Sequence, residues 1–129
     1  MSFAEAGVVI GKNHEVIAWH LPPDRSGGAL PDSRPLWDIL WDAHRNDTLL
    51  GFAHTHPGAG MPHPSHEDIT TFRAVEKGLG RRVTWWIASS ALLVTVDATS
   101  PALVKANNTM IAMVQDWPWV AELRARSRL

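Results

Sequence analysis

Residues 51 to 72 bring four histidines, a proline–glycine loop and two adjacent acids into one stretch. His54 and His56 are two apart, and in a strand positions i and i+2 project from the same face. Two imidazoles on one face can grip a single metal ion. Asp68 follows a turn-rich loop, where the pattern predicts the start of a helix. Two histidines, one carboxylate and an open fourth position describe a catalytic zinc site. A lone histidine near a strand end is usually structural, whereas a same-face pair followed at once by Pro57 and Gly58 reads as a metal-binding pair. Ser65-x-x-Asp68 also has a purely local reading. It matches a capping box, with Ser65 bonding the backbone and Asp68 favoured by the helix dipole. The readings are compatible, because an acid at the third helical position also points back toward the preceding loop. His63 and His66 read as exposed loop residues outside the site.

The elements that must hold these residues follow from hydrophobic period and turn chemistry. Residues 3 to 11 and 15 to 21 read as two strands of a hairpin, with Glu5 near the start of the first and Glu15 on the second. Pro22 and Pro23 end it, and residues 22 to 34 are loop. Over 35 to 46 the period changes. Leu36, Ile39, Leu40 and Ala43 mark a helix, with Ser33 as its cap and Pro35 in its first turn. Residues 48 to 55 form a buried strand that carries the histidine pair. A second helix spans 66 to 78, with Ile69, Phe72, Val75 and Leu79 inward and Gly78 and Gly80 closing it. Two strands, 82 to 88 and 91 to 97, turn at Ser89-Ser90. Trp85 and Trp86 point to opposite faces, with core packing the default for both. Leu103-Val104 and residues 110 to 114 read as strand pieces around an Asn107-Asn108 turn. Asp116 is the expected cap of a last helix running to about Arg126. The order predicts one α/β domain, a mixed β-sheet flanked by helices.

Composition narrows the functional classes. With 129 residues and 45% hydrophobic content, one domain can bury a real core. A formal net charge of −1 implies no nucleic-acid partner. The closest thing to a basic run, Arg124, Arg126 and Arg128, reads as a solvated helix end. The absence of cysteine excludes disulfides and thiolate ligands, so any metal must rest on His, Asp or Glu. The N-terminus lacks the features of a signal peptide, and no apolar run approaches the ~20 residues of a membrane helix. The expectation is a soluble cytoplasmic protein with no membrane partner.

His54-Thr55-His56-Pro57, a short loop and Ser65-His66-Glu67-Asp68 resemble the motif of the JAMM (MPN+) zinc metalloproteases. In that family a glutamate on an early strand precedes His-Ser/Thr-His-Pro and then Ser-x-x-Asp. The order of elements up to about residue 97 is also similar. The resemblance implies a single MPN-like (cytidine-deaminase-like) domain over residues 1–129. It implies one Zn2+ on His54, His56 and Asp68, with Glu5 as general base and Ser65 donating to the oxyanion. The chain departs from the family pattern in two places. Eight residues, 57 to 64, separate His56 from Ser65 where the family usually has seven, so strict counting would put Glu67 in place of Asp68. Asp68 is preferred because Ser65-x-x-Asp68 keeps its own spacing and one more loop residue costs little. Glu5 also stands closer to the following glycine than is usual. Glu15 is its rival, and Glu5 is preferred because the family places its glutamate on the first strand.

The activity implied by the resemblance is cleavage after the C-terminal glycine of a ubiquitin-like protein, for precursor processing or deconjugation. The tail would lie along a strand edge, and its small glycines suit a narrow cleft. The short chain is similar to compact prokaryotic members, some of which act beside activating and conjugating enzymes of the same operon. Two alternatives stand next to this one. Phage-tail-type members act on other peptide bonds, and inactive MPN scaffolds serve as assembly modules.

Overall fold

A computed structural model describes residues 2–98 and 111–129 of the chain. The β-branched run Gly7–Gly11 forms strand β1 and pairs antiparallel with β2, Val16–His20. Helix α1, Arg34–Arg45, starts where the Ser33 side chain accepts the Leu36 N–H at 3.2 Å. The buried strand β3, Leu49–Thr55, leads to helix α2, His66–Leu79. Gly80 closes α2 in the left-handed conformation at φ 73°, which a glycine adopts without strain. Gly78 stays inside the helix. Strands β4, Thr84–Ala88, β5, Leu93–Val96, and β6, Ile111–Val114, precede helix α3, Pro118–Arg126. The Leu103-Val104 strand piece and the Asn107-Asn108 turn lie outside the described residues.

The six strands form one mixed sheet in the order β2-β1-β3-β4-β5-β6. Among the described residues only β3 and β4 run parallel, and α2 supplies the crossover that a parallel pair requires. Gly51 lets these two strands close: a Cβ there would fall 1.9 Å from the Thr84 carbonyl oxygen. The β1–β3 register sets Gly7 opposite His54. Beyond it, the Thr55 N–H still reaches the Ala6 carbonyl at 3.1 Å. The strand expected from residue 3 therefore starts its regular ladder later, at Gly7. Ahead of it the chain is held from elsewhere, with Ala4 N–H on Ser127 O at 3.2 Å and Glu5 N–H on Ser26 O at 2.8 Å.

Alternation along the strands builds a core on each face. Val9, Phe52, Trp85 and Val94 pack with Leu40 of α1 and with Phe72 and Leu79 of α2. Val8, Ala53, Trp86 and Leu93 pack with Trp119, Val120 and Leu123 of α3 on the other face. Both members of the Trp85-Trp86 pair are thus core. Buried Glu76 accepts the Trp85 indole N–H at 2.8 Å and the Val83 N–H at 3.2 Å. Glu76→Ala is expected to orphan both donors and cost ~2–3 kcal/mol in urea unfolding. Glu76→Gln keeps an acceptor and should cost less; equal losses would mean that these bonds contribute nothing.

Two expectations about the C-terminus change. Asp116 does not cap α3, whose N-cap is Trp117 without a side-chain bond. Asp116 pairs with Arg124 instead, a charged partner being stronger than a backbone N–H. The arginines are more than a solvated end. Arg124 also donates to Ser89 O at 2.8 Å, and the Arg126 guanidinium lies 4.4 Å over the Trp19 ring. Among the described residues no helix is long and apolar enough to cross a membrane.

Candidate metal centre

The pleat of β3 brings Phe52, His54 and His56 to the face covered by α2, and Thr55 to the other. His54 is almost wholly buried, 3% exposed, with the Phe72 ring packed edge-on at 6.0 Å between centroids. His56 lies just past the strand, its N–H on the Ala88 carbonyl at 2.9 Å. Asp68 arrives from the first turn of α2. Both halves of the capping box form: Ser65 Oγ accepts the Asp68 N–H at 3.0 Å, and Asp68 Oδ2 accepts the Ser65 N–H at 2.8 Å. The cap therefore also aims the carboxylate. Its Oδ1 lies 3.2 Å from His54 Nε2 and its Oδ2 3.0 Å from His56 Nε2.

The two Nε2 atoms are themselves 3.1 Å apart. This triangle suits a cation better than a set of hydrogen bonds. If both nitrogens carry protons for Asp68, the two N–H groups crowd each other. If one is bare, its lone pair faces the carboxylate. A tetrahedral ion with donors at ~2.0–2.1 Å has donor–donor edges of about 3.3 Å, close to the spacings seen. Two imidazoles and a carboxylate are also a donor set that zinc accepts.

Glu5 stands further back. One of its carboxylate oxygens and the ligand nitrogens of His54 and His56 all lie within 4.8 Å of one another, so these three could equally hold a metal ion. Glu5 forms no ion pair with either histidine among the described residues. Its backbone is held from both sides, the N–H by Ser26 O and the carbonyl by Arg25 Nη1 at 3.1 Å. Glu15 is elsewhere: it is exposed at the β1–β2 turn and accepts the Asn13 N–H at 3.2 Å. Glu67 is exposed at the cavity mouth, while Asp68 meets both histidines. His63 and His66 are exposed and outside the group. Ser65 lines the same cavity as Glu5, His54, His56 and Asp68.

Sequence reasoning did not single out Thr55, Arg25 or Ser127. Thr55 Oγ1 accepts the Ala6 N–H at 3.0 Å and shares a 2.7 Å bond with Ser127 Oγ, which ties the Glu5 segment to β3 and to the end of α3. Alternation predicts that Thr55 faces away from the histidines. Nothing local points to Arg25, whose partners, Ala4, Glu5 and Arg126, are 20 or more residues away.

The two acids are perturbed in opposite directions. Burial pushes the Glu5 carboxyl up to about 7; His56 draws it back in part and Asp68 adds repulsion. Burial would also raise Asp68, but hydrogen bonds from His54 and His56 overcome this and hold it well below the usual carboxylate range. For metal-free protein the consequences differ in sign. The folded pKa of Glu5 is raised, so its contribution is complete below its ordinary 4.5 and is lost as pH rises through about 7. That of Asp68 is depressed, so its contribution is present above its ordinary 3.8 and is lost only in strong acid. Urea midpoints measured with chelator should therefore show a fall from Glu5 between pH 4.5 and 7. Glu5→Gln should remove that part of the slope and be the more stable protein above pH 7; an unchanged slope would refute the assignment.

Over the described residues, fold and site together define an α/β protein with a mixed six-stranded sheet, three packed helices and a buried His/His/Glu group able to hold a metal ion. No protein-family model matches the chain, and no curated protein matches it.

Proposed function

We propose that the protein is a zinc-dependent amide-bond hydrolase of the (iso)peptidase type. The observation that carries this reading is the convergence of His54, His56 and Asp68 at 3.0–3.2 Å, with the Glu5 carboxylate behind them in the same cavity. His54, His56 and Asp68 would hold Zn2+, which when bound supplies Lewis acidity and lowers the pKa of water toward ~7. Glu5 takes the proton of the attacking water and returns it to the departing amine. A carboxyl whose pKa is raised by burial suits both halves of that transfer. Ser65 Oγ accepts the Asp68 N–H, which leaves its hydroxyl proton for the developing oxyanion. Thr55 and Arg25 hold the Glu5 segment in register with the histidines.

The side chains argue for zinc-assisted hydrolysis, and the amide bond comes from the motif's likeness to JAMM proteases. The same likeness extends the reading to the C-terminal glycine of a ubiquitin-like protein. The test is incubation of zinc-loaded protein with ubiquitin-like fusions encoded beside its gene, with and without chelator. Chelator-sensitive cleavage after the glycine supports the whole reading. Stoichiometric zinc with cleavage of other peptides keeps the hydrolase and replaces the substrate. Zinc near zero, with no recovery on addition, leaves the scaffold alternative.

A further inference from the structure

The donors line a cavity of about 690 Å3. Pockets of ~300–1,000 Å3 take whole small molecules, so this one has more room than a diglycine end fills. The apolar part of its lining comes from four directions: Leu36 and Trp37 of α1, Phe72 and Val75 of α2, Phe52 and Trp85 of the sheet, and Leu30 and Pro31 of the loop before α1. Leu36, Trp37 and Val75 pack on the core yet stay only half-buried. Trp37 also lies against Gly78, where a Cβ would fall 2.8 Å from the indole, so the two helices meet toward the C-terminal end of α2. Asp68 and Val75 both line the cavity, and seven residues of helix separate them by roughly 10 Å. The charge is one-sided. Among the described residues Glu5, Asp32, Glu67 and Asp68 line the cavity and no Lys or Arg does.

We propose that the substrate carries a large, uncharged apolar group, aromatic or branched aliphatic, immediately beside the scissile amide, and that this group fills the slot between α1 and α2. The proposal rests on the zinc hydrolase reading and replaces the glycine tail as its substrate class. A diglycine end offers no side chain to the slot and would leave water against apolar walls, forgoing the burial that favours binding. Asp32 and Glu67, the two acids outside the metal group, disfavour a substrate with a carboxylate or phosphate there and tolerate a nearby amine.

The test uses two zinc-directed probes, acetohydroxamic acid and 4-phenylbutyrohydroxamic acid, with 4-phenylbutyramide as a probe lacking the zinc-binding group. Affinities are measured by calorimetry on the full chain with and without zinc. The phenylbutyryl hydroxamate should bind zinc-loaded protein on the order of 100-fold more tightly than the acetyl one, from the apolar area it buries. Leu36→Trp and Val75→Trp, made separately, each fill the slot from a different helix. Each should bring the two hydroxamates within a few-fold of one another, with zinc content and acetohydroxamate affinity unchanged. Circular dichroism shows which variants are folded, and one folded variant suffices. Equal affinities of the two hydroxamates in the unsubstituted protein would overturn the slot while leaving the zinc centre standing. So would an undiminished difference in a folded filling variant. Hydroxamates that bind no better with zinc than 4-phenylbutyramide does would instead overturn the zinc centre, and with it the placement of the slot beside a scissile bond.

Discussion

His56→Ala is expected to abolish zinc binding and, with it, hydrolysis. His56 Nε2 is one corner of a three-donor set, 3.1 Å from His54 Nε2 and 3.0 Å from Asp68 Oδ2. Two donors do not define a tetrahedral site, so affinity should fall by more than the ~10–100-fold that loss of a supporting partner causes. The readout is independent of activity. At zinc 100 times Kd, the unsubstituted protein should gain about 2.7 kcal/mol, or roughly 10 °C in midpoint for a chain of this size. The variant should gain almost nothing. Asp68 allows a finer test because it has two roles, holding the Ser65 N–H and facing the histidines. Asp68→Asn keeps an acceptor for the cap and gives up the anionic ligand, so it should fold normally and lose zinc. Glu67→Ala should keep it. The reverse pattern would mean that the longer loop shifts the acid by one position after all.

The second large effect is that of Glu5→Gln. Glutamine keeps the shape of the side chain and loses the base. Zinc should stay bound at one per chain while kcat falls by ~10²–10⁴. The acid limb of the pH–rate profile should disappear with it. In the unsubstituted protein activity should rise with pH as Glu5 ionises; the metal-free value is about 7, and a bound cation would move it lower. Full activity in Glu5→Gln would remove Glu5 from the mechanism. Loss of zinc in the same variant would make Glu5 a ligand rather than a base, an outcome that its proximity to both histidines makes specific enough to measure.

Much of the frame was legible because it is local. The Ser33 cap, the capping box at Ser65 and Asp68, and the inward stripe of α2 depend on residues three or four apart, which is the reach of helix geometry. The failures have the same root. Asp116 has the composition of a cap, and an arginine eight residues on takes it away. Residue 3 looked like the start of a strand, and the backbone groups of residues 4 and 5 pair with Ser127 and Ser26 instead. The tryptophans were readable as large apolar residues, but not as the wall of a slot, which needs α1 and α2 at a particular separation.

By itself the sequence determined that His54 and His56 share a face and that Asp68 opens a helix after the loop. Strand alternation and helix capping act within a few residues and need no partner. Which glutamate stands beside the histidines was a matter for the tertiary structure. Glu5 and Glu15 flank the same hairpin and differ little in local pattern. The antiparallel register of β1 on β3, Gly7 opposite His54, carries Glu5 to the site and leaves Glu15 at the far turn. The cavity was decided the same way, because its walls come from residues far apart in the chain that only the packing of two helices on one sheet brings together.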